Sequence, residues 1–78
     1  MSNCTLTHTM DRIKTATPSS PIAVFRCSAP GMLNAVFGAT VISQSKIRTD
    51  PDLIGVYDGL MDQQVVLDHL RKFVGRAA

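Results

Sequence analysis

The sequence predicts an α+β fold in which a small antiparallel β-sheet of about three strands packs against one C-terminal α-helix. Three features favour this fold: short apolar segments with β-branched residues in the first half, a Pro–Gly turn between two of them, and helical spacing of apolar residues in the last third. The 78 residues set a limit of one small globular domain, residues 1–78. A hydrophobic content of 45% with 18% charged residues is typical of a globular chain rather than a disordered one.

The first strand is predicted over residues 3–10, where residue types alternate. Threonines occupy every second position, and the intervening side chains would face the core: Cys4, Leu6, His8 and Met10. Alternation with a period of two is the repeat of a strand that has one buried face.

The next two strands are predicted around a turn. Residues 17–21 contain two prolines and read as a loop, and residues 22–27 read as a central strand because both of its faces are mostly apolar. Residues 28–31 end in Pro–Gly, which suits a type II turn. Residues 32–47 fit either a strand or a helix. We favour a strand that pairs back on residues 22–27.

A helix is predicted to start in residues 49–52, where Thr and Asp can cap and Pro suits the first helical position. We expect a break near residues 58–59 and a firmer helix over residues 61–74. The apolar arc expected to cover the sheet consists of Val56, Leu60, Leu67, Leu70 and Val74. The opposite sheet face would then expose the threonines and several cations.

Charge is divided unevenly along the chain. Residues 1–48 hold five of the eight cations and one of the six anions, whereas residues 49–70 hold five aspartates and no cation. The cations are candidate contacts to nucleic-acid phosphates: Arg12, Lys14, Arg26, Lys46 and Arg48. Ordinary solvated charge, placed to complement helix ends, is the competing interpretation.

The acidic segment suggests a partner-binding surface. Asp58, Asp62 and Asp68 could occupy a basic groove on another protein. Met61 and Val65 lie four residues apart and outside the apolar arc, so they are expected to be exposed. An apolar pair on a polar helix face is a candidate contact surface, although scattered exposed hydrophobic residues are also normal.

Catalysis, cofactor binding and metal binding are not expected. The sequence has no nucleophile elbow, phosphate loop or dinucleotide fingerprint, and no Cys-x-x-Cys pair. Cys4 and Cys27 are expected to be free thiols. No apolar run approaches the length of about 18 residues that a membrane span needs, and no signal peptide is recognised, so we expect a cytoplasmic protein.

These expectations combine into a non-catalytic module that docks on a larger protein or ribonucleoprotein and inhibits it. Small domains without cofactors are common among accessory proteins of phages and mobile elements, including anti-CRISPR inhibitors of host defence. One alternative is a small nucleic-acid-binding regulatory protein that uses the dispersed cations. Another is a structural subunit of a larger assembly. The open edges of a small sheet also make a homodimer a plausible form.

Overall fold

The computed structural model describes residues 2–37 and 48–74, which form one antiparallel sheet and two helices. The strands are β1 (Ser2–Thr5), β2 (Ile22–Arg26), β3 (Met32–Phe37) and β4 (Leu53–Tyr57), and the helices are α1 (Leu6–Thr15) and α2 (Gln63–Arg71). Their order in the sheet is β1-β3-β2-β4. The α+β class is confirmed, with four strands instead of about three and two helices instead of one in the described residues.

The predicted first strand is wrong after Thr5, because the chain turns there into α1. The Thr5 hydroxyl accepts a hydrogen bond of 3.2 Å from the backbone N–H of His8 and so caps the new helix. Thr9, Met10 and Ile13 are buried on one side of α1, which is a helical spacing. Threonine is weakly disfavoured within helices, but burial of this face overrides that preference.

The predicted hairpin is confirmed. The backbone N–H of Met32 donates to the carbonyl oxygen of Ala29 at 3.2 Å, and Gly31 has a φ of 74°, which is the type II geometry that Pro–Gly favours. β3 pairs antiparallel with β2, which lies between β3 and β4 and is therefore central, as predicted. Residues 32–37 are thus strand, and the remainder of the predicted segment, residues 38–47, lies outside the described residues.

The predicted helix start at residues 49–52 is wrong, because these residues form a turn that leads into β4. The Asp50 carboxylate accepts a hydrogen bond of 2.8 Å from the backbone N–H of Asp52, and the carbonyl oxygen of Asp52 accepts one of 2.9 Å from Arg26. Asp side chains that bond the backbone two residues ahead stabilise turns as well as helix starts. The helix begins instead at Gln63, after the expected break.

The main core lies between the two helices and one face of the sheet. Its most completely buried large side chains are Ile13 of α1, Ile22 of β2, Leu33 of β3 and Leu70 of α2. Leu70 therefore belongs to the core as predicted, whereas Leu60 does not, because the chain is not helical at residue 60. No helix in residues 2–37 or 48–74 has the length and apolar character that a bilayer crossing requires.

The opposite sheet face is apolar, so the prediction that it exposes threonines and cations is wrong. Ala23 and Phe25 are buried there, and the partly buried hydrophobic residues packed against them are Val36, Leu53 and Val56. The threonines expected on this face belong largely to α1 instead. A bulge in β4 places Leu53 opposite Phe25 and leaves Ile54 to pack against the main core.

Candidate functional site

Three large hydrophobic side chains are exposed close together in sequence at the start of α2. Leu60 is 81% exposed, Met61 43% and Val65 64%, and they are the large hydrophobic residues that the described part of the chain leaves in solvent. We call these three residues the apolar patch. The exposure expected of Met61 and Val65 is confirmed, and Leu60 joins them in place of its predicted core position.

The backbone of the patch is held against the end of α1. The Asp58 carboxylate accepts a hydrogen bond of 2.8 Å from the backbone N–H of Leu60. The backbone N–H of Gly59 donates to the carbonyl oxygen of Ala16 at 2.9 Å. The turn that carries Leu60 is therefore tied both to its own side chain and to the neighbouring helix.

The start of α2 is fixed in a similar way. The Asp62 carboxylate caps the helix by accepting hydrogen bonds from the backbone N–H groups of Gln64 at 3.0 Å and Val65 at 3.3 Å. The Gln63 side chain donates to the carbonyl oxygen of Met61 at 2.9 Å. These bonds order the patch before any partner arrives, which reduces the entropy lost on binding.

Two of the three predicted acidic residues lie within the segment that carries the apolar patch. Asp58 and Asp62 stabilise its backbone, while Asp68 lies further along α2. Asp68 accepts a hydrogen bond of 3.1 Å from the Gln64 amide and lies 3.8 Å from the Arg71 guanidinium. Because this ion pair is exposed, it adds little to stability. Arg71 also offsets part of the negative charge of Asp68, which makes Asp68 the weakest of the three candidates for attracting a partner.

The predicted basic set is not brought onto one surface within the described residues. Arg12 and Lys14 lie in the last turn of α1, which leads to the start of β2, whereas Arg26 ends β2 about 13 Å further along the strand. Arg48 is exposed ahead of β4, and Lys46 lies outside the described residues. This placement gives no single basic face for nucleic acid.

A cleft at the far end of the sheet was missed by the sequence analysis. It has a volume of about 700 Å³, and we refer to it as the sheet-end cleft. Its lining comes from the end of β2, from β3, from the end of α2, and from two turns, one after β2 and one before β4. The lining residues include Arg26, Cys27, Asn34, Asp52, Lys72 and Phe73. No local motif joins these residues, so the sequence carries no signal for the cleft.

Aromatic rings connect the cleft to the core. The guanidinium carbon of Arg26 lies 5.2 Å from the centre of the Phe73 ring, and the His69 ring meets the edge of Phe73 at a centroid distance of 5.5 Å. His69 also lies 6.4 Å from Tyr57, whose buried hydroxyl has no hydrogen-bond partner among the described residues. Burial raises the pKa of the Tyr57 hydroxyl to about 12. Tyr57 is therefore neutral at physiological pH and acts as a packing residue.

The two cysteines lie in different parts of the fold, Cys4 in β1 and Cys27 directly after β2. Cys4 is buried and Cys27 is half-buried. Within residues 2–37 and 48–74, no three His, Cys, Asp or Glu side chains are grouped so as to hold a metal ion.

Comparison with known proteins adds no further assignment, since no protein-family model, curated protein or solved structure matches the chain. The fold and surfaces define a small α+β protein with an ordered, exposed apolar patch and a separate cleft. Its function has to be inferred from those two surfaces.

Proposed function

We propose that this chain is a non-catalytic protein-binding module that docks on a larger protein through the apolar patch and thereby blocks or modulates it. The observation that carries the proposal is the exposure of Leu60, Met61 and Val65 on a backbone held by side-chain caps. Exposed apolar side chains mark contact surfaces when they are grouped, and these three lie within six consecutive residues of one capped segment. Methionine is also enriched at protein interfaces.

Charge supports a particular kind of partner. Asp58 and Asp62 place two carboxylates beside the patch, and neither has a cationic partner in the described residues. The complementary surface is an apolar pocket bordered by Lys or Arg, on a protein or a ribonucleoprotein. Such a pairing speeds association, and the rate should fall as salt screens the charges.

The biological setting we propose is antagonism of host defence by a phage or mobile-element protein of the anti-CRISPR type. Support comes from the small α+β fold and from a surface suited to docking. Expression of the chain in a host with an active CRISPR system should restore phage plating, and Met61→Asp should abolish the effect. Equal plating with and without the chain would contradict this biological setting. Docking on a protein is tested separately, by the capture experiment.

The capture experiment compares three forms of the immobilised chain in extracts of the native host. Wild type and His8→Asp should retain the same partner, and Met61→Asp should lose it. His8 is exposed on α1, where an added aspartate can pair with Arg12 one turn later, so this variant adds the same charge at another site on a stable helix. A partner retained equally by all three forms would contradict docking through the patch.

A further inference from the structure

We propose that the sheet-end cleft binds a nucleotide-sized ligand that carries a phosphate group and a planar ring. The proposal is independent of docking through the apolar patch, because the cleft lies at the other end of the sheet. Its volume of about 700 Å³ falls in the range of about 300–1,000 Å³ that small-molecule sites occupy.

Two cations in the cleft are available to an anion. Arg26 and Lys72 are both exposed, and neither lies within 4.0 Å of a carboxylate in the part of the chain that the structure describes. A guanidinium and an ammonium that share one cleft can contact the same phosphate, the first through two parallel N–H bonds. Within residues 2–37 and 48–74, no ion pair occupies either of these two cations.

The Arg26 guanidinium is also placed for stacking. Its central carbon lies 5.2 Å from the centre of the Phe73 ring, and the His69 ring contacts Phe73 in turn. Because Arg26 is exposed, its guanidinium is accessible to a planar ring, which guanidinium groups bind by stacking. This geometry favours a phosphate linked to an aromatic base over a bare phosphate ion.

The main chain beneath Arg26 is fixed on both sides. Its N–H donates to the carbonyl oxygen of Asp52 at 2.9 Å, and its carbonyl oxygen accepts from the Asn34 amide at 3.3 Å. Asp52 lines the same cleft, and a carboxylate there can accept hydrogen bonds from the amino groups of a base. The cleft thus offers donors for a phosphate together with an acceptor for the ring.

The test is a titration of the full chain, followed by ¹H–¹⁵N NMR, with AMP, adenosine and ribose 5-phosphate as probes. AMP should shift the amides of Arg26, Asn34 and Lys72, and it should bind about tenfold more tightly than adenosine or ribose 5-phosphate. Lys72→Gln and Arg26→Gln should each weaken AMP binding about tenfold. Arg26→Lys should bind ribose 5-phosphate as tightly as wild type does, because it keeps the positive charge. It should no longer bind AMP more tightly than ribose 5-phosphate, because lysine lacks the planar group.

Arg12→Gln is the matched control, since it removes a cation at the other end of the sheet, and it should bind AMP as wild type does. The same spectra report whether each variant is folded, and Lys72→Gln changes an exposed helix-end residue that the core does not need. Absence of shifts at millimolar AMP would overturn the proposal. So would equal binding by Lys72→Gln, equal affinity for adenosine, or binding of a single-stranded oligonucleotide without AMP binding.

Discussion

The backbone N–H of Gly59 donates a 2.9 Å hydrogen bond to the carbonyl oxygen of Ala16, which joins the turn before α2 to the end of α1. The two main chains approach so closely that a Cβ at residue 59 would meet the carbonyl oxygen of Lys14 at 2.5 Å and that of Ala16 at 3.2 Å. This contact fixes where the chain begins the segment that carries Leu60 and Met61. The position of the apolar patch relative to the rest of the fold therefore depends on it.

Gly59→Ala should destabilise the protein by about 1–3 kcal/mol, because backbone oxygens cannot rotate away as a flexible side chain can. Urea unfolding followed by circular dichroism measures this change. Gly31→Asn is the comparison variant: a Cβ at residue 31 meets nothing within 4 Å, so its cost comes from the positive φ alone, which asparagine adopts more readily than most residues. Equal stability of Gly59→Ala and wild type would show that the turn adapts and that its position is not fixed in this way.

Asp62 allows helix capping to be separated from charge. Asp62→Ala should cost about 1 kcal/mol of stability because the backbone N–H groups of Gln64 and Val65 lose their acceptor, whereas Asp62→Asn keeps the acceptor and should be nearly neutral. Thermal unfolding of both variants measures the difference.

Partner binding should respond differently from stability. Replacement of Asp58, Asp62 and Asp68 together by asparagine should abolish binding of the captured partner while the caps persist. Unchanged affinity of this triple variant would remove the acidic residues from the docking surface. Loss of folding in the triple variant would contradict our assignment of their structural role to hydrogen bonding rather than to charge.

Tyr57 predicts a loss of stability at alkaline pH. Burial raises its pKa from an ordinary value of 10.0 to about 12, so the folded protein holds the phenolic proton more tightly than the unfolded chain does. The resulting stabilisation is complete well below pH 10 and is lost mainly as the pH rises from about 10 to about 12, with a total of about 3 kcal/mol. Because the chain has a single tyrosine, its ultraviolet absorbance reports this titration directly.

Tyr57→Phe is the variant that isolates this effect. It removes a buried hydroxyl that has no hydrogen-bond partner in the described residues, so stability at pH 7 should be unchanged or higher. Between about pH 10 and about pH 12, the free energy of unfolding of wild type should fall by about 2 kcal/mol relative to that of Tyr57→Phe. A tyrosine that titrates near pH 10 in the folded protein, or a variant clearly less stable at pH 7, would contradict this account.

Local turn chemistry explains why the β2–β3 hairpin was predicted correctly and why two helix and strand boundaries were not. Pro30 and Gly31 specify one turn geometry, so the β2–β3 hairpin was predictable. Thr5 and Asp50 belong to residue types that stabilise helix caps and turns alike, and only packing decided that Thr5 starts a helix and that Asp50 precedes a strand. Leu6 and Met10 of the alternating set lie four residues apart and so share the inner face of α1, whereas His8 is exposed and Thr9 is buried, against the prediction.

The apolar patch could be predicted in part from the sequence, whereas the sheet-end cleft could not. Met61 and Val65 fall outside the predicted apolar arc, which is a local property, and their exposure was predicted, although Met61 precedes α2 instead of lying in it. Leu60 was assigned to the core because the helical repeat was continued through a turn. The sheet-end cleft depends on Arg26 meeting Phe73, and a contact between residues so far apart in sequence has no periodic signal.

Binding of the captured partner to wild type and to Met61→Asp, measured by isothermal titration calorimetry, tests the docking account most directly. We expect Met61→Asp to weaken binding by at least about tenfold, because it places a charge where the complex would bury an apolar side chain. His8→Asp should bind as wild type does. The variant should remain folded, as its helical circular dichroism will report. Equal affinity of Met61→Asp and wild type would contradict the account.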